Sequence, residues 1–228
     1  MTKKSRGTYT IRRLFPTLPQ KEITLFQENS SILRLKKGQN LFISGDSPRS
    51  IYAVANGCLK IVREGQEGES VITSISRAGH MFGLQEVFGE FKYFRTAIAL
   101  KESEVFSFDK DMIINLIQRN PDVALHFMKL LSKALCRMEK RVESDVYRPA
   151  KNRVATVLYE LYQSFAEEGQ LTFETPLNRR DIADLADVTP ETVSRAIAEL
   201  KNASILEANG NTFHIIDLNS LQNEAEER

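Results

Sequence analysis

Cysteine is almost missing from this chain. There are two in 228 residues, Cys58 and Cys136, far apart, with no CxxC spacing and no Cys/His cluster. That excludes a disulfide framework and a zinc finger, and makes a reduced, cytoplasmic setting the default expectation. The three histidines, His80, His126 and His214, have no motif around them. No apolar run approaches the ~20 residues that a membrane helix needs, so no membrane partner is expected. The opening MTKKSRGTYTIRR is basic, but no apolar stretch follows it, so it does not read as a signal peptide. Net charge is only +1, and bulk charge therefore neither demands nor forbids nucleic acid. Catalytic signatures are missing too: there is no P-loop, GxSxG, HExxH or glycine-framed carboxylate pair, and an enzyme is not expected.

What is present is an ordinary folding composition, 42% hydrophobic and 27% charged, enough for one large domain or two modest ones. Residues 1–30 form a basic lead-in with a short helix around 19–28. Residues 31–108 read as β. Short apolar runs such as ILRLKKGQNLFISGD, IYAVANGCLKIV, SVITSIS, TAIAL and EVFSF alternate with glycine-marked turns. A spacing of roughly 8–12 residues is that of a sandwich or barrel. The character changes near Asp109. DKDMIINLIQRN reads as a short helix stopped before Pro121, and Asn120 with Pro121 opens the next one. That helix runs to about Tyr147, with Val123, Phe127, Leu131, Ala134 or Leu135, Met138 and Val142 at intervals of three and four. A helix of roughly 26 residues is about 39 Å long, more than one small β domain covers. The stripe Phe127, Leu131, Leu135, Met138 and Val142 is expected to pair with its own copy in a homodimer.

Pro149 marks a hinge and restarts a helix, RVATVLYELYQSF. AEEGQLTFET reads as a Glu-rich loop, and the terminal LNSLQNEAEER is polar and expected to fray. Between them Asn178 can cap a helix that buries Ile182 and Leu185. A short turn follows, and Thr189 caps a second helix with Pro190 at its first position. Thr192 stands where a capping box would place Glu or Gln, so no box is expected there. The second helix buries Val193, Ile197 and Leu200 and exposes Glu191, Thr192, Ser194, Arg195 and Ala198. SILEANGNTFHII then reads as a hairpin turning at Asn209–Gly210. Two short helices, a tight turn and a hairpin make a winged helix-turn-helix, whose second helix fits the major groove.

The residue types suit double-stranded DNA. A glutamate accepts from the cytosine amino group, and an arginine fork matches guanine O6 and N7. Glu191 and Arg195 stand one turn apart on one face. Ser194 serves a base edge or a phosphate, and Arg179 and Arg180 stand where a phosphate would lie. Thr189, Thr192 and Lys201 complete the expected contact set. The competing reading is that Glu191–Arg195 is an i,i+4 surface pair. Residues 150–216 hold six cationic side chains against ten carboxylates, so positive charge is focused by placement. Weak non-specific binding is expected.

On these residues the chain resembles the CRP/FNR family of bacterial transcription regulators. The resemblance runs from about residue 30 to 217. It rests on Gly38, Gly45-Asp46, Asn56-Gly57, the GHMFG run at 79–83, NPDVA at 120–124 and PETVSR at 190–195. It implies an α+β fold: a cyclic-nucleotide-binding-like β-roll as sensor at 1–108, linking and dimerisation helices at 109–147, and a winged helix-turn-helix at 148–228. The ETVSR run resembles the FNR-type subgroup. That implies Glu191, Ser194 and Arg195 as readers of an inverted TTGA-like repeat, with the outer base left open by Pro190. RNA polymerase is the further partner the resemblance implies.

The sensor end departs from the family's cyclic-AMP binders. Leu84 follows Gly83 where the resemblance implies a ribose-binding glutamate. Arg95-Thr96 matches the phosphate-binding pair with one residue inserted. Met138-Glu139 stands where a Thr-Ser pair is implied. Cyclic AMP is therefore not expected, and no cofactor is assigned. The candidate pocket is Gly83, Leu84, Arg95, Thr96 and Met138, and Arg95 keeps an unidentified small anionic effector in view. The competing reading pairs Arg95 with Glu86 or Glu90. An iron–sulfur sensor lacks its cysteines, and no metal ligands are assigned. The alternative function is a cyclic-nucleotide- or haem-responsive module, the latter resting on His80-Met81 and His126.

Overall fold

Two strands carry apolar side chains on both faces, and the first half of the chain is organised around them. In β3 (Ser50–Asn56), Ile51 and Ala53 enter one core while Tyr52 and Val54 meet another. In β8 (Ser103–Asp109), Phe106 and Phe108 join the first and Val105 the second. Alternation with period two sends neighbouring residues to opposite faces. The computed structural model describes residues 11–12, 15, 18–65 and 69–226, with the side chains of residues 137 and 140–147 outside that description. The chain divides into two compact units, residues up to 70 with 74–136, and 71–73 with 137 onward.

The first unit has two antiparallel four-stranded sheets. One has the order β1-β8-β3-β6, with β1 at Ser31–Leu35 and β6 at Met81–Phe82. The other has the order β2-β7-β4-β5, with β2 at Asn40–Phe42, β7 at Thr96–Ala99, β4 at Cys58–Glu64 and β5 at Ser70–Arg77. Leu35, Phe42, Val54, Leu59, Ile61, Phe82 and Tyr93 fill the core shared by the sheets. Phe42 and Tyr93 stack at 4.0 Å between centroids. Gly57 takes φ +98° between β3 and β4, and a Cβ there would stand 2.1 Å from Ser103 Oγ. Only glycine fits that turn without displacing Ser103, whose hydroxyl accepts from the Cys58 N–H at 3.1 Å.

The outer face of β3 and β8 is closed by helices. α1 (Gln20–Glu28) contributes Ile23 and Phe26, α2 (Leu84–Gly89) contributes Leu84 and Val87, and α3 (Lys110–Arg119) contributes Ile113 and Leu116. Asp109 caps α3 by accepting from the N–H groups of Asp111 and Met112. α4 (Pro121–Tyr147) starts where Asn120 Oδ1 accepts from the Asp122 N–H at 3.2 Å. Its Val123 and Phe127 complete this core.

In the second unit, α5 (Ala150–Phe165) packs against α6 (Arg179–Ala186), α7 (Pro190–Asn202) and α8 (Leu218–Glu226). It buries Val154, Ala155, Leu158 and Leu161. A three-stranded sheet of order β10-β11-β9 flanks them, with β10 at Leu206–Asn209, β11 at Thr212–Ile215 and β9 at Thr172–Glu174.

Three sequence expectations are corrected here. The Glu-rich loop holds β9, because Phe173 pairs with Phe213 and their rings stack at 5.2 Å. The hairpin turns at Gly210 and Asn211, one residue later than expected, since Asn209 pairs with Thr212. The C-terminal segment is the helix α8, which buries Leu221 and Ala225. Asp217 Oδ1 accepts from the Ser220 N–H at its start, and Arg148 Nη2 donates to the Ala225 carbonyl at 2.5 Å near its end. A polar sequence here hides one apolar face that α5 covers.

Candidate nucleic-acid interface

The helix pair is set by its caps. Asn178 Oδ1 accepts from the Asp181 N–H at 3.0 Å, and Asp181 Oδ2 accepts from the Asn178 N–H at 2.8 Å. This reciprocal box starts α6, and the N-x-x-D spacing of Asn178 and Asp181 is its signal in the sequence. α6 ends at Asp187, whose φ of +51° turns the chain. The Asp187 carboxylate meets Arg153 of α5 at 3.6 Å. Thr189 then caps α7, accepting from the Thr192 N–H at 3.3 Å, with the two hydroxyls 3.2 Å apart.

α7 buries Val193, Ala196, Ile197 and Leu200. Glu191, Ser194, Arg195 and Lys201 are exposed and Thr192 is half-buried. Glu191 and Arg195 share the outward face, yet among the described residues no ion pair joins them. Backbone N–H donation at the helix start, with the Thr189 hydroxyl behind it, holds the Glu191 carboxyl below the usual carboxylate range. It is therefore an acceptor at neutral pH. Ser194 Oγ donates to the Pro190 carbonyl at 3.0 Å, which uses its proton and leaves the oxygen able to accept. The Arg195 fork is exposed beside them.

The two arginines opening α6 differ. Arg180 is exposed. Arg179 is turned to the wing: Nη2 donates to the Gly210 carbonyl at 3.0 Å, and its guanidinium lies 5.1 Å from the Phe213 ring centroid. Its Nη1 is buried without a hydrogen bond, and desolvation lowers its pKa. Arg179 thus anchors the hairpin.

In the first unit, Gly83 takes φ +82°, and a Cβ would come within 2.7 Å of the Ser50 carbonyl. That close approach starts α2. The Leu84 side chain lies in the core. Thr96 is buried and its hydroxyl accepts from the Ser44 N–H at 3.1 Å. Arg95 Nη2 donates to Gln85 Oε1 at 3.0 Å and to Glu86 Oε1 at 3.2 Å. Glu90 instead lies 4.0 Å from Lys110. Burial, then the charges of Tyr52 and Glu86, raise the Tyr93 phenol, which stays protonated. Among the described residues no group of three or more His, Cys, Asp or Glu side chains gathers as a metal site.

The expected stripe on α4 is redrawn. Phe127 is 2% exposed and packs edge-on against Phe15 at 5.5 Å, so it belongs to the core. Leu131 is partly buried against that core. Leu135 and Met138 are exposed, and so is Met128, which sequence reasoning passed over. The Val142 side chain lies outside the described residues. The interval of seven from Met128 to Leu135 was the available signal.

Residues 32–120 match the family model of the cyclic nucleotide-binding domain, and residues 152–224 match that of the Crp-like helix-turn-helix domain. The chain is 28% identical over 185 residues to the fumarate and nitrate reduction regulatory protein of Vibrio cholerae, covering 80% of this chain and 74% of that one. It is 25% identical over 191 residues to the CRP-like cAMP-activated global transcriptional regulator of Mycobacterium tuberculosis, covering 83% and 85%. The solved structure of FixK2 from Bradyrhizobium japonicum shares the fold with a TM-score of 0.74 at 22% identity, over 87% of this chain and 98% of that one. No helix among the described residues is long and apolar enough to cross a membrane.

Proposed function

The chain belongs to the CRP/FNR family of transcription regulators, and on that premise we propose that it acts in the cytoplasm as a homodimer on an inverted TTGA-like repeat, without needing cyclic AMP. The observation that carries this reading is the outer face of α7. Glu191, Ser194 and Arg195 offer two acceptors and one cationic fork within a single turn, and no ion pair among the described residues consumes them. Glu191 takes the cytosine amino group and Arg195 takes guanine O6 and N7 on a neighbouring pair. Arg180, Thr189, Thr192 and Lys201 contact phosphates and fix the register.

Two recognition helices about 34 Å apart, one DNA turn, match an inverted repeat. The apolar seam of α4 supplies the second copy. Six cations against ten carboxylates in residues 150–216 keep random-sequence binding weak, since the phosphate term grows with positive charge. RNA polymerase is the partner through which such a regulator acts.

A cyclic-nucleotide-responsive regulator is the second reading, favoured by the match of residues 32–120. Against it stand the core position of Leu84 and the Glu86 partner of Arg95. Fluorescence anisotropy with a duplex carrying the inverted repeat tests the proposal. The expected preference over a scrambled duplex, in nucleotide-free buffer at physiological salt, is about 1,000-fold or more. Equal affinity for both duplexes overturns it.

A further inference from the structure

We propose that Arg95 is an oxyanion seat which the chain fills with its own Glu86 carboxylate, closing it to external phosphates and carboxylates. The inference rests on the reading of the first unit as a sensor that works without cyclic AMP, and gives that reading a physical cause.

A guanidinium presents a planar fork that fits a carboxylate or phosphate through two parallel hydrogen bonds. Arg95 uses it incompletely. Nη2 alone serves both Gln85 Oε1 and Glu86 Oε1. Arg95 Nε is buried with no hydrogen bond, and so is Glu86 Oε2. The leftover donor and the leftover acceptor belong to the same ion pair. A free oxyanion would turn to engage Nε and Nη2 together. Glu86 is tethered to α2 and reaches only one corner.

The surroundings suit an anion. The Phe94 ring lies under the guanidinium at 4.9 Å and shields one face. The Arg95 side chain is 26% exposed, so solvent reaches the seat, while that of Glu86 is 1% exposed. Removing Arg95 leaves the buried Glu86 side chain without its ion-pair partner, and removing Glu86 leaves a part-buried guanidinium unpaired. The positive charge at Arg95 is thus spent internally. A ligand phosphate must evict a covalently tethered competitor whose effective concentration is high.

Full-length variants test this. Glu86→Ala empties the seat and leaves Arg95 unpaired. Its Tm in chloride buffer is expected to fall by about 5 °C or more. Acetate or inorganic phosphate, compared with chloride at equal ionic strength, is expected to restore at least half of that loss, because a ligand of the folded state alone stabilises it. The wild type is expected to show no such response, and Glu86→Ala combined with Arg95→Met is expected to lose it. If Glu86→Ala does not fold, Glu86→Gln keeps the volume, removes the charge and takes its place in the same comparison. Absence of anion rescue in the folding variant overturns the proposal. So does a wild-type Tm that rises with acetate or phosphate by more than that of the double variant, which carries only the general salt effect. Equilibrium dialysis with cyclic AMP separates the two levels. Binding by the wild type overturns both this inference and the nucleotide-free reading. A wild type that does not bind, beside a variant that no anion rescues, overturns the inference alone.

Discussion

Phe127 and Met128 are consecutive residues of one helix that serve different surfaces. Phe127 is 2% exposed and lies between the rings of Phe15 and Phe88, while Met128 is 55% exposed. Starting from Met128, apolar residues recur at Leu131, Leu135, Met138 and Val142. Alternating intervals of three and four are the seam of a two-stranded coiled coil. If the proposed dimer forms through this seam, Met128→Glu with Leu135→Glu is expected to give a monomer in sedimentation where the wild type is a dimer, with the fold of the first unit retained. Phe127→Ala is expected to cost about 3–5 kcal/mol of stability, as a core cavity does. An intact dimer in the double-glutamate variant rejects the seam.

On α7 the expected effects are specific to position. Arg195→Ala should cost about 1–3 kcal/mol of binding and relax the choice at one guanine. Glu191→Ala should relax the choice at one cytosine. Selection from a library of half-site variants reads both. Weakening that is uniform over all sequences would reassign these side chains to phosphate contact or packing.

Arg179 and Arg180 are adjacent in sequence but separable by experiment. Arg179 bonds the Gly210 carbonyl and covers Phe213, so Arg179→Ala should lower stability by about 1–2 kcal/mol. Arg180→Ala should leave Tm unchanged and reduce the salt slope of DNA binding by about 1. A thermal melt and a salt titration of each variant separate the roles, and identical profiles contradict the division.

The elements with a strong local signal were legible in the sequence. Asn120 with Pro121, Pro149, and Thr189 with Pro190 mark helix starts, and each helix begins there. The exposed positions Glu191, Ser194, Arg195 and Ala198 on α7 follow from its period, while Thr192, expected with them, is half-buried. What escaped depends on partners distant in the chain. β9 exists because Phe173 finds Phe213 forty residues later. α8 is ordered by α5, whose Asn152 and Thr156 side chains donate to the Glu224 and Ala225 carbonyls. Phe127 and Met128 are equally apolar, and periodicity alone could not say which one the β domain covers. The partner of Arg95 was open between Glu86 and Glu90. Burial of Glu86 on α2 decides it, since Glu90 sits past the helix end beside Lys110.

Cys58 and Cys136 should differ in reactivity. Burial, the largest cause, pushes the Cys58 thiol up to about 11 from the usual 9.0, while Cys136 is exposed on α4. At pH 8 a thiol reagent should label Cys136 in the native chain and reach Cys58 only after unfolding, because the thiolate is the nucleophile. The sign for stability follows. A raised pKa means the unfolded thiol ionises first, so this contribution is full below pH 9 and is lost as pH climbs toward 11. Rapid double labelling of the native protein contradicts the burial.

The most direct measurement is selection of bound DNA from a random pool, run with and without cyclic AMP on the wild-type chain. The account predicts an inverted TTGA-like repeat, recovered equally in both arms. A repeat recovered only with nucleotide, or no enrichment in either arm, contradicts it.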